Sequence, residues 1–169
     1  MNGIMPKPST PSPRKTCAET DDCIKSIMIM YHDIEEYMDY IFTDNGQSDW
    51  IDLRASKTVE LHAGEYAIIP LGVSMRLPDG YEAHLAPRSS TFKNFGILQV
   101  NGVGVIDNSY SGDDDIWGMP ALAMRDTVIH KGERICQFRI MRKMDQVCFK
   151  TVYHLSDKSR GGFGSTGVS

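Results

Sequence analysis

The chain has 169 residues, 41% of them hydrophobic and 24% charged, with a formal net charge of -4 at neutral pH. That length suits one compact domain with a real core, and the composition is ordinary for a globular protein. The negative balance argues against the broad basic surface that non-specific nucleic-acid binding needs, and no apolar run approaches a membrane span, so neither a nucleic acid nor a membrane is expected as a partner.

Residues 1–22 carry Pro6, Pro8, Pro11 and Pro13 among Ser, Thr and Lys, a composition that buries too little surface to offset its ordering entropy, so a flexible tail is expected. It lacks the charged-then-apolar pattern of a signal peptide, which points to the cytoplasm. Cys17, Cys23, Cys136 and Cys148 show no metal-ligand spacing; the last two read as reduced, mostly buried thiols. Only 32–42 has room for a helical turn or two. From residue 50 onward the periodicity is mostly two, with strands expected at 50–55, 57–61, 66–77, 81–86, 97–106, 118–124, 134–142 and 147–154. Pro-Asp-Gly at 78–80 and Lys-Gly at 131–132 break them. Within 134–142, Cys136, Phe138 and Ile140 alternate with Ile135, Gln137, Arg139 and Met141. So many short strands imply an all-β fold, a sandwich or jelly-roll, filling residues 23–155. A Gly-rich arm, 156–169, follows.

Five segments carry the chemistry. The run Val100–Gly112, VNGVGVIDNSYSG, sets Asp107 at the end of a glycine-punctuated segment read as a hairpin, with Tyr110 three residues beyond. Gly102 and Gly104 would let backbone approach a planar ligand, Asp107 would serve as a general base, and Tyr110 would cover the ligand. An Asp that merely caps a turn has the same pattern. Pro87-Arg88-Ser89-Ser90 has the composition of an anion-binding turn, Arg88 offering a bidentate cation and the serines their hydroxyls, or equally of a capped short helix. Gln137 in GERICQF and Asp52 in DWIDLRA are polar residues within strands. The arm RGGFGSTG, 160–167, combines Arg160, Phe163, Ser165 and Thr166 with glycines such as Gly164, the makings of a lid that closes on a base and on phosphates.

Together SDWIDLRA, PRSSTFKNFG, VNGVGVIDNSYSG, KGERICQF and RGGFGSTG resemble, in order and spacing, the five motifs of the trimeric dUTP pyrophosphatase (dUTPase) family. The resemblance implies a jelly-roll homotrimer with a swapped C-terminal arm and active sites built from more than one subunit. It implies hydrolysis of dUTP to dUMP and pyrophosphate, which limits uracil incorporation into DNA and supplies dUMP for thymidylate synthesis. Asp107 matches the residue that deprotonates the attacking water and Tyr110 the ring beneath the deoxyribose. Asn101 and the backbone from Gly102 through Val105 to Ile106 match the segment that reads the uracil edge. Arg88, Ser89, Ser90 and Gln137 match phosphate contacts, and Phe163 the aromatic that stacks on uracil. Asp52 matches a position near Mg²⁺, reached through water, the ion being held mainly by the phosphates.

The chain departs from the family pattern in the arm, where Lys158-Ser159 stand in place of an Arg-Gly pair and Arg160 adjoins Gly161 directly. Either Lys158 or Arg160 would make the arm's phosphate contact. The family's shortest members lack the acidic bulge DDDIWGM, 113–119; Asp113, Asp114 and Asp115 are expected to point outward, since they would repel a triphosphate. A dCTP deaminase shares the fold and an Arg-Ser-Ser turn, but it needs a catalytic glutamate and lacks the aromatic at the sugar. A different alternative is a nucleotide-sensing regulatory protein that binds a protein partner through the tail or the bulge, where Trp117 beside three carboxylates would be exposed; a Trp117 packed on the barrel rim is the favoured reading.

Overall fold

The two-residue alternation becomes twelve short strands among residues 27–32, 42–43 and 48–155, which the computed structural model describes. They are β1 (Met28–Tyr31), β2 (Phe42–Thr43), β3 (Ile51–Arg54), β4 (Val59–Leu61), β5 (Tyr66–Pro70), β6 (Val73–Arg76) and β7 (Tyr81–Pro87). After the short helix α1 (Thr91–Phe95) come β8 (Ile97–Gln99), β9 (Gly104–Ile106), β10 (Gly118–Ala123), β11 (Thr127–Ile129) and β12 (Arg134–Arg142). The largest sheet runs β2-β3-β12-β7-β9 and a second runs β5-β10-β8, while β1 pairs β6 and β11 pairs β4. Every pairing is antiparallel, and the all-β expectation is met.

One core joins the two larger sheets. Leu53, Leu85 and Phe138 enter it from the five-stranded sheet; Ile69, Ile97, Met119 and Ala121 enter from the three-stranded one. Each large apolar side chain removed from water here contributes roughly 1.5–3 kcal/mol. Trp117, just before β10, meets the Phe138 ring edge-on at 5.3 Å between centroids and 87° between planes. The rim position expected for Trp117 is therefore corrected: it is 1% exposed and pins one sheet to the other.

Several boundaries shift for physical reasons. The expected strand 66–77 splits into β5 and β6, because Gly72, at a φ of 66°, turns the chain from one sheet into another. The expected strand 97–106 also splits, and its halves are not hairpin partners: β8 pairs β10, whereas β9 pairs β7. Gly104 leaves out a Cβ that would stand 3.0 Å from Leu85 Cβ, so this glycine lets β9 close against the β7 side chain. Strands β1, β2 and β11 were not expected, and Phe42, read as the end of a helical stretch, lies in β2. Residues 147–154 form no strand among the described residues; Phe149 stands 93% exposed, and Cys148 is exposed rather than buried. Cys136 is buried as expected, and desolvation pushes its thiol pKa far up, which leaves it inert.

The strand 134–142 keeps its expected limits but not a strict alternation. A bulge between Arg134 and Cys136 puts both Ile135 and Cys136 into the core and turns Arg134 outward. The tail expected at 1–22 and the arm at 156–169 lie outside the described residues, and with them Lys158, Arg160, Phe163, Gly164, Ser165 and Thr166.

Candidate active site

Three neighbouring strands bring the phosphate-binding candidates together. Gln137 of β12 lies in register with Asp52 of β3 on one side and Ala86 of β7 on the other. Beyond the end of β7, Arg88 folds back so that its Nε donates to Asp52 Oδ1 at 2.8 Å. Asp52 Oδ2 accepts from Arg134 Nη1 at 3.0 Å. One carboxylate thus aligns two guanidiniums and offsets half of their charge. A polar cavity of about 250 Å³ opens beside them, lined by Ser48, Trp50, Asp52, Arg88, Ser89, Arg134 and Gln137.

The turn after β7 is bolted by a residue not singled out from the sequence. Thr91 Oγ1 accepts from the Arg88 backbone N–H at 2.9 Å and donates to the Ile135 carbonyl at 2.7 Å. Ser90 stands at the start of α1 with no side-chain capping bond, so its hydroxyl is not spent on the helix. Arg134 likewise lines this cavity, with nothing in the sequence pattern to single it out. Strict alternation sends it to the core side with Cys136, and only the bulge reverses that. Trp50, a further lining residue, lies under the Arg139 guanidinium at 5.7 Å from the ring centroid.

A second cluster follows β9. Asp107 Oδ1 accepts from both the backbone N–H and the hydroxyl of Ser109, at 2.8 and 2.6 Å. These two bonds, the hydroxyl first, with the nearby charge of Lys143, hold the Asp107 carboxyl below the usual carboxylate pKa. Asn108 fixes the loop to the residue after β6 by accepting from Leu77 N–H and donating to the Leu77 carbonyl, both at 2.8 Å. Tyr110 is half exposed and donates its hydroxyl to the Ile116 carbonyl at 3.1 Å, inside the acidic bulge. Asp115 closes that bulge by accepting from Gly112 N–H at 2.7 Å, and Asp113 and Asp114 are exposed, as expected. Asn101, Gly102 and Val105 are also exposed, while Ile106 packs against the core. Gln99 ties this segment to β7 by donating to the Leu85 and Gly102 carbonyls.

Within one chain the two clusters do not meet. Ile106 pairs with Ala83 near the start of β7, whereas Arg88 follows its far end. Continued by one residue, the register puts Asp107 opposite Glu82, six strand steps from Arg88, roughly 20 Å at the rise of an extended strand.

A divalent cation would find no ready-made cage: among the described residues no group of three or more His, Cys, Asp or Glu side chains is placed to hold a metal. Each Asp52 oxygen keeps a second lone pair beside its arginine, so a metal-bound water fits there. This donor set suits an ion carried by the ligand's own phosphates.

The dUTPase family model matches residues 43–167, a span that encloses every candidate from Asp52 to Thr166. A SPbeta prophage-derived deoxyuridine 5'-triphosphate nucleotidohydrolase of Bacillus subtilis is 60% identical over 122 residues, covering 72% of this chain and 86% of that protein. Among solved structures, the dUTPase of Staphylococcus bacteriophage 80alpha, solved with dUPNHPP, superposes with a TM-score of 0.68 at 20% identity, covering 86% of this chain and all of that one. A mutant dUTPase of phage phi11 of S. aureus, described with the coordination of a structural Mg(II) ion, gives a TM-score of 0.64 at 18% identity, covering 77% of this chain and 98% of that one. Family match, relative and fold agree, and the chain belongs to the dUTPase family.

Proposed function

We propose that this protein hydrolyses dUTP to dUMP and pyrophosphate in a site completed between copies of the chain. The observation that carries the reading is the 60% identity over 122 residues to a relative named for that activity. The split geometry supports the composite site, because the Asp107 cluster and the Arg88 cluster lie too far apart in one chain to share a triphosphate. A homotrimer, with the arm closing over the site, joins the loop of one copy to the cavity of another. Exposed Phe149, Tyr153 and Leu155, at 93%, 108% and 93%, are apolar surface for such an assembly to cover.

In this reading Arg88, Arg134, Gln137 and the hydroxyls of Ser89 and Ser90 bind the phosphates, with Asp52 aligning both arginines. Asp107 accepts the proton of a water whose oxygen bonds to the α-phosphorus, while the bond to the bridging oxygen breaks and pyrophosphate leaves. Its lowered pKa keeps it ionised at neutral pH. Tyr110 packs beneath the deoxyribose, and Asn101 with the backbone from Gly102 through Val105 to Ile106 reads the uracil edge. Asp52 would hold Mg²⁺, carried with the triphosphate, through water, and the ion would supply charge neutralisation and a fixed phosphate arrangement for in-line attack. Arg160, Phe163, Gly164, Ser165 and Thr166 close over base and phosphates, and the enzyme works in the cytoplasm.

Pyrophosphate release from purified protein with Mg²⁺, comparing dUTP with dCTP, dTTP and UTP at equal concentration, tests the reading. Release confined to dUTP is expected. No release from any of the four by a folded protein would contradict it.

A further inference from the structure

The carboxylate of Asp107 is held asymmetrically. Oδ1 takes two hydrogen bonds, both from Ser109, while among the described residues no donor reaches Oδ2. The Tyr110 backbone N–H donates to the Asp107 carbonyl at 3.0 Å, so the peptide carrying the carboxylate is itself locked in a turn. Fixing one oxygen from two directions sets the rotation of the carboxylate plane and leaves Oδ2 without a donor among the described residues. A base of this kind has one working oxygen held in a defined plane.

We propose that Ser109 is a positioning residue for hydrolysis, its hydroxyl orienting the Asp107 carboxylate so that Oδ2 meets the attacking water. The inference rests on the hydrolase reading above. Ser109 touches neither the phosphates nor the base in that reading, and its side chain lies on the surface, so removing the hydroxyl leaves the core untouched. The other charge felt at Asp107 is that of Lys143, just beyond β12, which acts in the same direction as Ser109 and remains in every variant.

The test compares wild type, Ser109→Ala and Ser109→Thr in two ways: pH profiles of kcat and KM for dUTP, and the carbon-13 titration of the Asp107 carboxyl in unliganded protein. Ser109→Ala is expected to lower kcat roughly 10–100-fold with KM unchanged, the size of losing one charge-assisted hydrogen bond. Its acid limb and its Asp107 titration should both move to higher pH, and Ser109→Thr should restore all three. Wild-type kcat and coincident titrations in Ser109→Ala would overturn the inference. So would equal losses in Ala and Thr variants accompanied by equal drops in melting temperature, the mark of a merely structural residue. Absence of turnover in the wild type would instead overturn the hydrolase reading, and the positioning role with it.

Discussion

Arg88 Nε and Asp52 Oδ1 lie 2.8 Å apart, joining the turn after β7 to β3 across β12. Arg134 takes the second oxygen of the same carboxylate, so this acid acts as a template for two cations. Asp52 and Arg88 are largely buried, at 17% and 24% side-chain exposure, so removing the carboxylate leaves two guanidiniums without their counter-charge. The bridge also holds the guanidiniums in one geometry. Asp52→Ala is expected to lower kcat/KM for dUTP roughly 10–100-fold and to lower stability by about 1–3 kcal/mol, because both arginines lose their acceptor. Steady-state kinetics beside a urea titration check both halves.

Asp107→Asn should bind dUTP and lose turnover by about 10²–10⁴-fold, the usual range for removing a general base. The pH dependence of the wild type has a defined sign. A carboxyl whose folded-state pKa is lowered stays ionised as pH falls past the ordinary carboxylate value, so the acid limb due to Asp107 lies below that value. The same shift stabilises the fold above the unfolded pKa, and that contribution disappears as pH falls through the folded one. A kcat profile extended into the acid range checks this.

The Tyr110 hydroxyl spends itself on the Ile116 carbonyl, so the acidic bulge serves as a tether for the ring. Tyr110→Phe keeps the ring and removes the tether. The ratio of kcat/KM for dUTP over UTP should fall about fivefold, the worth of one neutral hydrogen bond, with the fold intact. Parallel assays on the two nucleotides measure it.

Trp117→Ala separates a core role from a surface one. With its ring edge-on to Phe138 and 1% exposed, truncation should cost about 3–5 kcal/mol of stability, read by denaturant unfolding.

Much of this was legible in the sequence because the signals were local. The alternation through Phe138 and Ile140 located β12 to the residue and put Gln137 on its outer face. The motif spacing singled out Asp107, Tyr110 and Arg88, and the acidic residues 113 and 114 do face solvent. What escaped was set by contacts distant in sequence. A bulge opposite Arg54 decides that Ile135 goes inward and Arg134 outward, and no periodicity announces it. The parting of β8 from β9 depends on each finding a partner in a different sheet. Residues 147–154 have apolar residues suited to a strand, but a strand needs a neighbour to pair with, and none stands beside them among the described residues.

Complementation between two inactive variants tests the composite site most directly. Asp107→Asn and Arg88→Ala, each alone, should be nearly inactive on dUTP. Unfolded together in equal amounts and refolded, they should regain about one quarter of wild-type pyrophosphate release, because random assembly gives that share of sites an intact Asp107 from one copy and an intact Arg88 from another. A mixture no more active than its components, with mixed oligomers verified by mass, would contradict a site shared between copies.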